Sequence, residues 1–380
     1  MPSSTRTICP ITIPDRGTPR GVVMTTPAVV FGGPSDEHDI SILTGLQVSH
    51  ALSDVTAFYW SKGGEWFQVE SGAEASEFVE GPPRKARAVS LVPEVGKGFV
   101  GKKPIPVSAV INACHGGPGE DGTLQGMLDL AGIRYTGPGQ AASALGMDKF
   151  AFGAAMAATG LPTLPRVLLA SPDQSAPPFS GPYILKPRFG GSSIGIEVVD
   201  DWPTATALLK ASPYYAAGGV VEPYLEESRD LQLAVRTWPA LEMSAVEEPI
   251  RVGGRIYSYS QKYLAWGGEV SGGRQLPAKI DSATELVLRD LARRVAVAAG
   301  LRGICRIDFL ERDSEVWVNE INTIPGSMGA YLWIDPKISR PALFQSMLDE
   351  ALASPVRRFS VAGADGTALR NAGTISNKLG

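Results

Sequence analysis

The stretch VNEINTIPGS, residues 318–327, sets a carboxylate and an amide two positions apart in an otherwise apolar run and ends the run with Pro325-Gly326. In a strand, successive side chains point to opposite faces, so Val318, Glu320 and Asn322 are expected on one side and Asn319 and Ile321 on the other. Two oxygen-bearing side chains then aim at one point. Immediately upstream, GICRIDFLERDSEVWVNEINTIPG (303–326) reads as an antiparallel strand pair joined by ERDS, residues 311–314. The same period places Arg306 and Asp308 on one face, so Arg306, Asp308, Glu320 and Asn322 can converge. Two carboxylates and an amide oxygen suit magnesium, a hard cation that completes its shell with water and phosphate oxygens. The alternatives are a solvated edge strand, or an ion pair between Arg306 and Asp308. The ion pair does not account for Glu320 and Asn322 in the same place.

With 380 residues, 44% of them hydrophobic, the chain can bury a large core and is expected to form two or three domains. A net charge of −4 without long basic runs gives no footprint for nucleic acid or an anionic membrane. No apolar stretch has bilayer length and the first residues lack a continuous apolar segment, so a cytoplasmic location is expected. Cys9, Cys114 and Cys305 make no zinc-type spacing with His38, His50 or His115. Cys114 beside His115 is a poor nucleophile–base pair, because strand neighbours face opposite ways; buried cysteine is the expectation.

Both ends, 1–27 and 361–380, are rich in small and polar residues and are expected to be mobile. Between them AVVFGG reads as a buried strand, followed by a helix over 40–52, the strand VTAFYW, then IPVSAVINACHGG leading into a helix over 119–132. That alternation predicts a parallel α/β domain. A helix over 147–160 opens a second region of short β runs, YILKPR, IGIEVVD and GVVEPYL; longer β runs follow from Asp230, with a helix over 282–299 and another from about Pro341. There is no Walker-type phosphate loop and no G-x-G-x-x-G after the first strand. YILKPRFGGSSIG instead ends a strand on Lys186 and exposes a Gly/Ser loop whose N–H groups can wrap phosphate oxygens; taken alone it is equally a common turn between strands.

Taken in order, GGPSDEHDIS, HGGPGEDGTLQG, ALGMDKF, LKPRFGGSSIG, QKY, RIDF and NEINTIPG resemble the motifs of the D-alanine–D-alanine ligase family of ATP-grasp enzymes, from about residue 28 to 350. The resemblance implies an ATP-grasp fold of α/β and α+β character: an N-terminal parallel α/β substrate domain (28–140), a central ATP-grasp subdomain (141–225), and a C-terminal one with the metal site and lid (226–360). ATP would be clamped between the two β-containing halves. Lys149 and Lys186 would meet its phosphates or adenine, and Lys262 phosphate. Glu222, Tyr224 and Leu225 would form the adenine hinge, with Asp230 on the ribose where relatives usually carry the longer Glu. Asp308, Glu320 and Asn322 would hold two magnesium ions, with manganese as the alternative metal. Glu37 would receive the first substrate's α-ammonium in a pocket that His115 lines. Helix capping by Ser35 and its acidic neighbours is the local alternative for Glu37, a loop role for His115, and a helix N-terminus for Glu120 and Asp121.

Arg306 and the Gly326 N–H would stabilise the oxyanion when an amine attacks an acyl phosphate. SQKYLAWGGEVSGGRQLP would be a lid, on which Tyr263 reaches Ser192 and Glu37. The second substrate would meet Gly326, Tyr331 and Leu332. Here the chain departs from its relatives: GSMGAYLW puts Met328 where they carry Thr and Tyr331 where they carry Ser, so a changed acceptor is expected. The implied activity is ATP-dependent joining of two amino acids, nearest to D-alanine–D-alanine ligase, in a homodimer acting on small molecules. A specialised dipeptide or amide ligase and a non-catalytic nucleotide-binding regulator are the alternatives.

Overall fold

The computed structural model describes residues 25–100, 105–251 and 273–372. In the N-terminal part, β1 (Thr26–Gly32) is followed by α1 (His38–Ala51), β2 (Thr56–Trp60), β3 (Trp66–Val69), β4 (Arg87–Val89), the small hairpin of β5 (Val92–Glu94) and β6 (Gly98–Val100), and β7 (Val107–Asn112). Then come α2 (Gly117–Glu120), α3 (Thr123–Ala131) and β8 (Arg134–Tyr135). The sheet order is β4-β3-β2-β1-β7-β8. Its β2-β1-β7-β8 part is parallel as expected, but β3 and β4 extend it antiparallel. The reason is length: Ser61 N–H already donates to Glu65 O at 2.8 Å, and a reversal that tight leaves no room for a crossover helix. Val29 and Phe31 pack on α1 from one face while Ala28 and Val30 pack on α3 from the other. A strand covered on both faces reads as an unbroken apolar run.

The remainder begins with α4 (Gln140–Met147) and α5 (Lys149–Ala158), where a single helix over 147–160 was expected. Asp148 separates them, its carboxylate capping the N–H groups of Phe150 and Ala151 at 3.1 Å. Strands β9 (Val167–Leu169), β10 (Tyr183–Pro187), β11 (Glu197–Val199) and β12 (Gly219–Pro223) form an antiparallel sheet ordered β11-β10-β12-β9, covered by α6 (Trp202–Ala211). A second antiparallel sheet, ordered β14-β13-β17-β18, comprises β13 (Arg229–Arg236), β14 (Glu242–Met243), β17 (Ile304–Arg312) and β18 (Glu315–Asn322). Between its members lie β15 (Glu248–Pro249), β16 (Arg274–Gln275) and α7 (Ser282–Ala298). Helices α5 and α7 pack on this second sheet. Helix α8 (Arg340–Ala353), expected with the C-terminal subdomain, instead packs Leu343, Phe344 and Met347 against Val29, Phe31 and Ile111 of the N-terminal sheet. Within the tail expected at 361–380, Thr367–Ala372 forms a short helix (α9) with no buried residue; 1–24 and 373–380 lie outside the described residues.

The strand pair that opened the analysis is present, with two changes. Its turn is only Asp313-Ser314, both left-handed (φ 53° and 68°), as a two-residue hairpin of matching twist requires. More consequentially, Asp308 pairs with Glu320 and Phe309 with Val318, leaving Asn319 as an extra, bulged residue. The bulge breaks the period of two. Val318 is therefore not on the face of Glu320 and Asn322; it is fully buried with Ile321 in the core under α7. Asn319, Glu320 and Asn322 all line the cavity described below.

Helix α1 approaches β1 through Gly45, where an added Cβ would lie 2.3 Å from the Cβ of Phe31. Gly45→Ala gains helix propensity, but overpacking outweighs it, so a net loss of about 1–3 kcal/mol is expected, read as a lower urea midpoint at unchanged slope.

Candidate active site

A cavity of about 620 Å³ runs between the two antiparallel sheets and the N-terminal part. At its centre the shelf on β17 and β18 is assembled as two cross-strand pairs, Arg306 opposite Asn322 and Asp308 opposite Glu320. Arg306 grips Asp308 with two hydrogen bonds of 2.7 and 2.8 Å, and Asn322 Nδ2 donates to Asp308 at 3.1 Å. Glu320 is met by Lys149 Nζ at 3.7 Å. Carboxylates directly opposite on one sheet face repel each other, so this pair needs cations beside it. An oxygen-only donor set of Asp308, Glu320 and Asn322, open to the cavity, fits magnesium in that role.

Beneath this shelf lies a buried charge cluster. Lys186, at the end of β10, donates to Glu222 of β12 at 2.8 Å and to the bulged Asn319 at 3.0 Å. Arg166 Nε sits 2.6 Å from the other Glu222 oxygen, an ion pair outside hydrogen-bond geometry. Burial would raise the Glu222 carboxyl, but Arg166 and Lys186 hold it below its ordinary range. Glu222 thus serves two cations while lining the cavity next to Tyr224, Leu225 and Asp230; Arg251 pairs with Asp230 at 2.7 Å. Arg166 and Asn319 were not singled out from the sequence. An isolated arginine before a strand has no pattern, and a bulge is not written in side-chain alternation.

On the opposite wall Glu37 starts α1 but makes no side-chain cap; its carboxylate accepts from Ser192 Oγ instead. Gly191 lets the loop come this close, since an added Cβ would lie 2.8 Å from Glu37 Oε2. The loop continues through Ser192 and Ser193 at φ 55° and 59°, and Lys149 Nζ donates to Gly190 O. His115 is buried, with Nδ1 2.7 Å from Ile324 O and Nε2 2.8 Å from Thr44 Oγ1. A carbonyl can only accept, so Nδ1 carries the proton and Thr44 donates to Nε2; Thr44 Oγ1 in turn accepts from Ser327 N–H at 3.1 Å. Burial lowers the His115 pKa, in keeping with this neutral ring.

Glu120, read from the sequence as an aid to a helix N-terminus, does something larger. Its carboxylate accepts from Gly116 N–H at 2.9 Å, Thr323 Oγ1 at 3.0 Å and Ile324 N–H at 2.9 Å. Together with His115 it anchors the segment after β18 to the N-terminal part. Gly326 then lines the cavity beside Glu37. Ser327 and Met328 adopt φ of 51° and 53°, and Met328 is buried. Tyr331 also lines the cavity, half-buried, under the Arg274 guanidinium 4.9 Å from its ring, and burial pushes its phenol up. The side chain of Leu332 is fully buried in the core under α8 and does not line the cavity, so its expected contact with substrate is corrected. Lys262, Tyr263 and the expected lid up to Gly272 lie outside the described residues. Cys114 and Cys305 are buried and free, with burial raising both thiols, as expected of packing residues; Cys9 lies outside the described residues.

Burial, then the charge of Glu37, push Glu120 from its ordinary 4.5 up to about 7. A carboxyl raised on folding contributes stability below the unfolded value that is lost as pH rises through the folded one. Between about pH 4.5 and 7 the wild-type chain should therefore lose stability relative to Glu120→Gln, by on the order of 3 kcal/mol, measured by urea unfolding at a series of pH values.

The chain is similar to known proteins over most of its length. The family model described as D-ala D-ala ligase N-terminus matches residues 26–138, and that described as D-ala D-ala ligase C-terminus matches 157–349. A D-alanine–D-alanine ligase of Mycobacterium tuberculosis is 34% identical over 368 residues, covering 87% of this chain and 96% of the relative. The crystal structure of VanG D-Ala:D-Ser ligase from Enterococcus faecalis aligns with TM-score 0.74 at 25% identity, covering 86% of this chain and 99% of that one. That of D-alanine-D-alanine ligase from Helicobacter pylori aligns with TM-score 0.69 at 25% identity, over 88% and 100%. With the ATP-grasp fold of those ligases and a cavity whose shelf, charge cluster and Glu37 wall occupy the matched regions, the chain belongs to the D-alanine–D-alanine ligase family.

Proposed function

We propose that the chain is an ATP-dependent ligase that joins two amino acids through an acyl phosphate, with D-alanine–D-alanine ligase as the nearest activity. The observation that carries this reading is the meeting in one cavity of three unlike parts: the Arg306, Asp308, Glu320 and Asn322 shelf, the Lys149 and Lys186 cations, and the Glu37–Ser192 wall. A nucleotide-binding regulator would need no ammonium-binding carboxylate facing a metal shelf.

ATP would be held by Tyr224, Leu225 and Asp230, with Lys149, the Gly190–Ser193 loop and Lys186 meeting its phosphates. Asp308, Glu320 and Asn322 would hold two magnesium ions. Bound magnesium supplies charge neutralisation while a phosphoryl group passes to the carboxylate of the first amino acid and ADP leaves. Glu37 holds that amino acid's ammonium group, and buried His115 keeps the wall behind it in shape. The second amino acid attacks through its amine; Arg306 and the Gly326 N–H receive the oxyanion that forms, and phosphate then departs. Tyr263 would reach Ser192 and Glu37, and Lys262 would engage phosphate. The reading divides the chain into segments near 28–140, 141–225 and 226–360 and makes it a cytoplasmic homodimer. Among the described residues no helix is long and apolar enough to cross a membrane.

Release of ADP across a panel of single amino acids and pairs, with product masses, tests the assignment: no ADP with any pair overturns it. Glu320→Gln, which neutralises a ligand where phosphate charge must be balanced, should lower ADP formation by about 100-fold or more while urea stability stays within about 1 kcal/mol of wild type.

A further inference from the structure

Arg166, the residue before β9, does not line the cavity, and its side chain is only 5% exposed. From behind the wall its guanidinium reaches three elements of the site. Nη1 donates to the carbonyl of Lys149, the first residue of α5, at 2.7 Å, and Nη2 donates to the carbonyl of Asn319 on β18. Nε lies 2.6 Å from the Glu222 carboxylate on β12. Each partner bears on a group that faces the cavity: the Lys149 side chain itself, Glu320 next to the bulged Asn319, and Lys186, which shares Glu222 with Arg166.

Gly153, buried in the middle of α5, provides the space for this side chain. An added Cβ there would lie 2.5 Å from Arg166 Cδ and 2.6 Å from Nη1. Glycine is a poorer helix former than alanine, so the helix alone gives no reason for it at that position. The type of cation matters as well. A planar guanidinium carries donors in several directions, whereas a lysine ammonium donates from a single atom and would keep the charge beside Glu222 without spanning both carbonyls.

The residues that Arg166 meets are held from a second side. Lys186 bonds the Asn319 side chain at 3.0 Å while Arg166 takes its carbonyl. The Lys149 N–H donates to Arg188 O at 3.1 Å while Arg166 takes the Lys149 carbonyl. Lys149 Nζ and Glu320 stand 3.7 Å apart on this framework. We propose that Arg166, in the space left by Gly153, is the positioning residue that sets Lys149 and Glu320 in register for a complex of magnesium with a nucleotide. The proposal rests on the nucleotide and metal placement of the ligase reading above. Residues behind a metal ligand commonly govern affinity by about 10- to 100-fold through orientation alone.

Calorimetric titration of the purified full chain with ADP and magnesium provides a readout independent of turnover, and initial rates of ADP release with ATP and D-alanine provide the two KM values. Arg166→Lys, which retains the charge, should weaken magnesium-dependent ADP binding by about 10-fold, raise the ATP KM by a similar factor and leave the D-alanine KM within about twofold of wild type. Gly153→Ala should do the same, although alanine favours the helix. On an Arg166→Ala background Gly153→Ala should add no further loss, because the atoms it strikes are gone. A residue that only packs would lower the thermal midpoint and leave these constants unmoved. Unchanged ADP affinity and ATP KM in folded Arg166→Lys and Gly153→Ala overturn the proposal; where Arg166→Lys does not fold, Gly153→Ala decides alone. Failure of the wild-type chain to bind ADP with magnesium overturns the ligase reading itself.

Discussion

The structure hinges on a buried carboxylate. Glu120 belongs to the N-terminal part, yet two of its three acceptor contacts are to Thr323 and Ile324, more than 200 residues later. Holding a charge out of water is costly, and here two backbone N–H groups and a hydroxyl offset only part of that cost, so the carboxyl stays above its ordinary range. His115 adds a bond to the carbonyl of the same Ile324, and Thr44 one to the N–H of Ser327. The chain leaving β18 is thus fixed to α1 and to the turn before α2. Gly326 and Glu37 are thereby held as parts of one cavity lining.

Charge is arranged in layers around this joint. The lowest layer, Lys186 with Glu222 and Arg166, is nearly closed to solvent, and there the two cations hold the Glu222 carboxyl below its ordinary range against its burial. Above it, Lys149 and Arg306 face Glu320 and Asp308 at the edge of the cavity, accessible enough for ligands to enter their coordination. Dipoles and charges held in place before a ligand arrives cost no reorganisation when charge develops beside them.

The bulge at Asn319 connects the layers. It lets two consecutive residues of β18 serve the site, Asn319 downward to Lys186 and Glu320 upward across from Asp308, while Val318 and Ile321 stay in the core. A regular strand would have to choose between them, because its faces alternate strictly.

Most of the architecture was legible in residue order. Apolar runs marked the strands, the αβ alternation marked the parallel half, and ordered motifs placed Glu37, Lys149, Lys186, Asp308, Glu320 and Asn322, all of which the structure brings to one cavity. These features are local: each depends on a few neighbouring residues and a backbone period. What the tertiary structure alone decided is non-local. Arg166 meets Glu222 across 56 positions, Glu120 meets Ile324 across 204, α8 returns to the N-terminal sheet, and Leu332 turns into the core while Tyr331 turns to the cavity. A period fixes which side of an element a residue is on; only the packing of one element against another fixes what stands opposite, and buried charges take their role from what stands opposite.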